Sequence, residues 1–145
     1  MGLDVGTKTI GVAVSDQLGF TAQGVSTIER RGIKKDLEEL KKLIHTYEVS
    51  QILVGLPLNM NGSEGPRAKD IRAFAKDVEI GIEGIPVIFW DERLSTAAVE
   101  RDMIAMDMSR ARRAEVIDQQ AAVFILQGAL DRLRHIVDAK GQAAT

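Results

Sequence analysis

Met1-Gly2-Leu3-Asp4-Val5-Gly6-Thr7-Lys8-Thr9-Ile10-Gly11-Val12-Ala13-Val14-Ser15 places an acidic residue inside an apolar run, two residues ahead of a glycine turn, with a second strand-like run directly after it. Leu3 and Val5 alternate with Gly2 and Asp4, and Ile10, Val12 and Val14 alternate with Gly11, Ala13 and Ser15. Period two on both sides of Gly6-Thr7-Lys8-Thr9 predicts a β-hairpin with a polar turn. Gly11 leaves room for close approach of backbone or ligand. Burying an uncompensated carboxylate costs several kcal/mol, so Asp4 calls for a cation, a metal or a strong donor. The plainer alternative is a turn-capping Asp that accepts from the Gly6 or Thr7 amide.

Outward from the hairpin, Thr21 to Ile28 reads as a third strand after the turn Asp16-Gln17-Leu18-Gly19, completing an antiparallel meander. The period then changes. Ile33, Leu37, Leu40, Ile44 and Tyr47 recur at helical spacing with Lys and Glu between them, which predicts an amphipathic helix. Gln51-Ile52-Leu53-Val54-Gly55 is a short continuous apolar run, as expected of a parallel strand buried on both faces. The segment from Leu56 to Pro66 is about twice the usual strand-to-helix connection, and long connections at a strand's carboxyl end are often functional. Asn59 in this loop is a candidate nucleic-acid contact, and Gly62 and Gly65 permit close approach to a phosphate backbone. Pro66 opens a helix that turns Ala68, Ile71, Phe74, Ala75 and Val78 inward and ends at Gly81 to Gly84. Pro86 to Trp90 is a second buried strand that runs into Asp91-Glu92-Arg93. A helix around Ala97 to Ile104, capped by Ser95 or Thr96, and a last long helix capped by Ser109 complete the chain, with fraying expected after about residue 138.

The composition sets limits. The 145 residues suit one domain that buries about two thirds of its unfolded surface. The absence of cysteine rules out disulfides and thiolate chemistry. With no signal peptide and no long uncharged apolar stretch, a soluble cytoplasmic protein without a membrane association is expected. The net charge of -2 does not advertise a nucleic-acid binder, although Arg30, Arg31, Lys34 and Lys35 cluster, as do Arg110, Arg112 and Arg113. Both clusters read more readily as solvated helix ends.

The last helix carries a second anomaly. Asp118, Ala121, Ala122, Ile125 and Ala129 fall on one stripe, so Asp118 shares a packing face unless it pairs with an arginine such as Arg113 or rests at the edge of the stripe in water. The order β-β-β-α-β-α-β-α gives an α/β fold. Its sheet is mixed and five-stranded, three antiparallel strands followed by two parallel ones, with the first strand in the middle and helices on its flanks. Asp4 then lies on the central strand, Asp91 and Glu92 at the carboxyl end of a parallel neighbour, and Asp118 on the helix crossing that end. Carboxylates gathered at one edge repel one another, and a hard cation such as Mg²⁺ or Mn²⁺ relieves the repulsion through oxygen ligands. Two such ions about 3.5–4 Å apart support phosphodiester hydrolysis.

GLDVGTKTIGVAVSD, VGLPLNMNGSEG, WDERLST and VIDQQAAVFILQG resemble, in order and over nearly the whole chain, the four signature blocks of the YqgF/RuvX family of nuclease-like proteins with the ribonuclease H fold. The resemblance implies one ribonuclease H-like nuclease domain over residues 1–145, a cytoplasmic hydrolase that processes the 5′ end of pre-16S rRNA. It assigns Asp4 as the first-strand acid, Glu92 or its neighbour Asp91 as the second, and Asp118 as the helix acid, and it matches Arg93 to the arginine of the same block. The expected catalytic and metal set is thus Asp4, Glu92 and Asp118, with Thr7, Lys8, Asn59 and Arg93 on nucleic acid. Two departures stand out. In related junction resolvases the second acid follows the fourth strand, whereas here that strand ends in Gly55-Leu56-Pro57, so Glu92 has to reach in from the fifth. Met1 directly before Gly2-Leu3-Asp4 also leaves the central strand short, consistent with a start further upstream or with fraying.

Three alternatives share parts of this pattern. A Holliday-junction resolvase would apply the same site to branched DNA and usually needs a dimer; the sequence shows no dimer interface, Met103, Met106 and Met108 being no more than an apolar patch candidate, and monomer and homodimer are both compatible with it. A non-catalytic RNA-binding factor would keep the basic clusters. Asp4-Val5-Gly6-Thr7-Lys8 also resembles the phosphate-binding hairpin of actin-like ATPases and sugar kinases, but those need two lobes, and this length supplies one.

Overall fold

The computed structural model describes residues 1–94 and 110–143, with the side chains of 110–116, 118 and 139–143 outside the description. In chain order the elements are β1 (Gly2–Val5), β2 (Thr9–Ser15), β3 (Ala22–Glu29), α1 (Ile33–Thr46), β4 (Ile52–Leu56), α2 (Pro66–Gly81), β5 (Val87–Asp91), a 3-10 turn (Glu92–Leu94) and α3 (Arg110–Ala143). The helix expected near residues 95–104, the Ser109 cap, the methionine patch and the side chains of the second arginine cluster lie outside the described residues. α3 continues to Ala143, beyond the point at which the sequence suggests fraying.

The sheet runs β3-β2-β1-β4-β5. β1 pairs antiparallel with β2 and parallel with β4, β2 pairs antiparallel with β3, and β4 pairs parallel with β5. The mixed sheet with the first strand in the middle is therefore observed as expected. Period two divides it into two faces. Leu3, Val5, Ile10, Val12 and Val54 pack against Leu40, Ile71, Phe74 and Val78 of α1 and α2. Gly2, Ala13, Leu53 and Trp90 lie on the other face, beneath Ala122, Ile125 and Leu126 of α3.

Small residues set how closely α3 approaches. A methyl group at Gly2 would stand 2.8 Å from Leu126 Cβ and 3.2 Å from the Ala122 carbonyl oxygen. Gln127 fixes the helix to the β2–β3 turn: its Oε1 accepts from the Ala22 amide at 2.9 Å, and its Nε2 donates to the Phe20 carbonyl at 2.8 Å. Arg134 adds a bond to that carbonyl at 3.1 Å and covers the Phe20 ring at 4.8 Å. Among the described residues no helix is long and apolar enough to cross a membrane.

Gly2→Ala is expected to destabilise the protein by about 1–3 kcal/mol through overpacking against α3. A lower urea midpoint at unchanged slope would register it, and an unchanged midpoint would show that the helix can move away without cost.

Candidate active site

Strand register builds the site. Thr27 pairs with Gly11 and Gly11 with Asp4, so the three form one row across β3, β2 and β1. On the other side Leu3 pairs with Val54. One residue further along that parallel register Asp4 lies beside Gly55, which itself pairs with Trp90. Asp4 thus stands on the innermost strand with a glycine at the neighbouring position on each side, and it is buried at 7% exposure. The Gly6 amide bonds to the Thr9 carbonyl at 2.8 Å, so that amide is not capped by Asp4.

Gly55 admits the second acid. A methyl group there would stand 2.7 Å from Glu92 Oε1 and 2.5 Å from Ile125 Cδ1. The Glu92 carboxylate therefore reaches across β4 from the turn after β5 and occupies the space left by the missing side chain, beside the position of Asp4. Asp91 is engaged elsewhere. Alternation along β5 puts it on the side of Val87 and Phe89, opposite Trp90. Arg93 Nη2 donates to Asp91 Oδ2 at 2.7 Å, and the Arg93 amide donates to Oδ1 at 3.0 Å. These bonds from Arg93 hold the Asp91 carboxyl below the usual carboxylate range and raise the Arg93 guanidinium correspondingly.

Arg93 also donates to the Met60 carbonyl at 3.4 Å and lies under Gly62, whose φ of +86° suits a residue without a side chain. Arg93 thus anchors the loop between β4 and α2. Asn59 closes that loop on itself, its amide and Nδ2 donating to the Ser63 carbonyl and Oγ, each at 2.9 Å. Thr7 and Lys8 are exposed at the hairpin turn. Asp118 lies on α3, three and four residues before the fully buried Ala121 and Ala122 and seven before Ile125; its side chain lies outside the described residues. Among the described residues no group of three or more His, Cys, Asp and Glu could hold a metal ion.

The sequence reading missed what holds the hairpin from behind. Arg30 Nη1 donates to the Gly6 carbonyl at 2.8 Å and its amide to the Lys8 carbonyl at 2.9 Å, while Arg67 Nη2 donates to the Val5 carbonyl at 3.2 Å. Arg30 is itself held over the Phe74 ring at 5.1 Å and 3.7 Å from Asp36 Oδ2. Asp36 is buried at 1% exposure and accepts from the Arg31 amide at 3.0 Å. A signal existed: Asp36 falls three residues after Ile33 and four before Leu40, on the apolar stripe of α1.

An antiparallel β1–β3 meander, two following parallel strands, and an acid on β1 with a second acid seated over its neighbour define a ribonuclease H-like fold of the resolvase type. Its fold is similar to that of Thermus thermophilus RuvC in complex with a Holliday junction substrate, with a TM-score of 0.58 and 14% identity over 89% of this chain and 91% of that one. A further structure of Thermus thermophilus RuvC gives 0.56 at 13% identity over 92% and 95%. The chain belongs to the RuvX family, whose model, described as Holliday junction resolvase, matches residues 1–132. A relative from Moorella thermoacetica is 59% identical over 133 residues, 92% of this chain and 94% of its own. One from Clostridioides difficile is 58% identical over 131 residues, 90% and 92% respectively. Both are described, provisionally, as pre-16S rRNA nucleases.

Two outcomes are expected. Gly55→Ala displaces Glu92 and Ile125 and costs about 1–3 kcal/mol. Gly65→Ala, whose methyl group would meet nothing nearer than Asn59 Oδ1 at 3.8 Å, serves as the control, with an effect within about 0.5 kcal/mol. Equal denaturation midpoints for the two variants would contradict the close seating of Glu92. In Arg93→Met the Asp91 titration followed by NMR moves up towards the ordinary value near about 3.9. Because the folded value is depressed, the pair's stabilisation is present above that ordinary value and is lost as pH falls through the folded one.

Proposed function

We propose that residues 1–145 form one ribonuclease H-like nuclease domain that acts in the cytoplasm and hydrolyses phosphodiester bonds at the 5′ end of pre-16S rRNA. Asp4, Glu92 and Asp118 would hold Mg²⁺ or Mn²⁺. The observation that carries this reading is the seating of Glu92 over Gly55, beside a buried Asp4 on the central strand. Family membership and the names given to the relatives support the activity and the substrate.

The donor set fits a hard cation: every expected ligand is a carboxylate, and Glu92 is seated over Gly55, the register neighbour of Asp4. When bound, the ion supplies a lowered pKa for water and neutralises charge on the phosphate. The chain does the rest. Asp4, fixed by burial, orients one side of the site, and Glu92, on a turn pinned by the Asp91–Arg93 pair, is placed to orient water and accept its proton at a carboxylate oxygen. Thr7 and Lys8 at the exposed turn contact the phosphate backbone, and Asn59 and Arg93 shape the loop on the far side of the site.

The family description favours one further reading, in which the same residues cut branched DNA. Paired cuts would then call for two copies, whereas RNA cleavage is compatible with a monomer or a homodimer.

The deciding experiment incubates labelled pre-16S rRNA precursor, and in parallel a four-way DNA junction, with pure protein and Mg²⁺ or Mn²⁺. RNA cleavage that disappears with EDTA and in Asp4→Asn is expected. Cutting of the junction alone would transfer the reading to resolution, and cleavage that survives Asp4→Asn would remove Asp4 from the site.

A further inference from the structure

The basic cluster Arg30-Arg31…Lys34-Lys35 divides in the fold. Arg30 turns inward to the hairpin, Asp36 and Phe74, while Arg31, Lys34 and Lys35 stay exposed. The Arg30 amide bonds to the Lys8 carbonyl at 2.9 Å, so the segment that leads into α1 begins beside the turn that carries the exposed Lys8.

A shallow groove of about 840 Å³ opens beside them, along the outer edge of β3 and the first turns of α1. Thr9, Thr27, Arg31 and Lys35 are among its lining residues. Thr27 belongs to the same cross-strand row as Asp4, two strands away, so the groove starts at the level of the site. Four carboxylates also line it, Glu29 and the buried Asp36 beside the cations and Glu38 and Glu39 further along α1, so the cationic surface is the rim formed by the start of α1.

The chemistry of this surface selects its partner. Among the described residues Lys8, Lys34 and Lys35 form no ion pair, and Arg31 pairs only with Glu29, 3.1 Å away and with both side chains mostly exposed. An exposed pair of this kind is worth little and is easily exchanged for a phosphate. Cations and hydroxyls are the groups that contact phosphate and sugar, and among the described residues no aromatic side chain lines the groove to stack a base.

We propose that Lys8, Arg31, Lys34 and Lys35 form a track for the phosphodiester backbone of the substrate strand flanking the cleaved bond. The strand leaves the site over the hairpin turn towards β3 and α1. This deepens the nuclease reading and rests on it for the position of the cleaved bond. The contacts are independent of base sequence and supply affinity and direction.

The test is fluorescence anisotropy of a labelled single-stranded RNA across a range of salt concentrations in EDTA, so that no cleavage occurs, together with cleavage kinetics in Mg²⁺. The variants are Arg31→Gln/Lys34→Gln/Lys35→Gln, the control Lys41→Gln/Lys42→Gln further along α1, and the charge-keeping Arg31→Lys/Lys34→Arg/Lys35→Arg. Each phosphate contact on a single strand contributes about 0.7 to the slope of log affinity against log salt, so losing three cations should flatten the slope by about 2. The control and the charge-keeping variant should retain the wild-type slope, and in cleavage the neutral triple variant should raise KM with kcat unchanged. A triple variant with the wild-type slope and KM would overturn the track while leaving the nuclease reading intact. RNA binding that depends on the track, with no cleavage of RNA or junction by wild type, would overturn the nuclease reading and keep the track as a binding surface.

Discussion

Asp4 sits on a strand covered on both faces, α1 and α2 on one side and α3 on the other, and at 7% exposure its carboxylate keeps little contact with water. The neighbouring residues follow from that constraint. Gly11 and Gly55 at the adjacent register positions keep side-chain bulk away from it, and Gly55 lets a second carboxylate enter over the sheet. α3 crosses this face on alanines, Ala121 and Ala122, which allow its backbone within contact distance of Gly2. Carboxylates placed this near repel each other the more as water is excluded, and a cation held between them would relieve that repulsion.

Arginines hold the rim of this arrangement by binding backbone carbonyls. Arg67 and Arg30 take the successive carbonyls of Val5 and Gly6, the first residues after Asp4, and so set the direction in which the hairpin turn leaves the sheet. Arg93 does the equivalent on the other side, with one end of its guanidinium on Asp91 and the other on the Met60 carbonyl. A guanidinium suits this work because its donors lie in a rigid plane and stay charged at any physiological pH. Thr7 and Lys8 are left exposed on a turn that is braced from beneath.

The strands and the first two helices were legible because their signals are local. Period two across Leu3 to Ser15, the switch to helical spacing at Ile33, and Pro66 at a helix start each predict an element to within a residue or so of its observed bounds. The acid on the central strand was equally plain, since Asp4 interrupts an apolar run. The choice between Asp91 and Glu92 was less plain, yet alternation from Phe89 through Trp90 to Asp91 already turns Asp91 away from the face of Gly55. Arg30 was misread as part of a solvated helix end. Its partners Gly6, Asp36 and Phe74 come from a turn and two helices, and only the assembled fold brings them to one guanidinium.

A glycine- and threonine-bearing hairpin after an acidic β1 strand is by itself neutral between two chemistries. In phosphate-binding ATPases such a hairpin offers its amides to an anion, and a polyphosphate brought there needs surroundings that do not repel it. Here a buried carboxylate stands on the strand leading into the turn and a second one is seated over Gly55 beside it, which makes this corner rich in carboxylate oxygens. A cation held by these carboxylates would favour the approach of a phosphodiester, and the exposed lysines along the hairpin and α1 would add attraction from the side. The position of Glu92 over Gly55, more than the hairpin, is the feature that supports the nuclease reading over nucleotide binding.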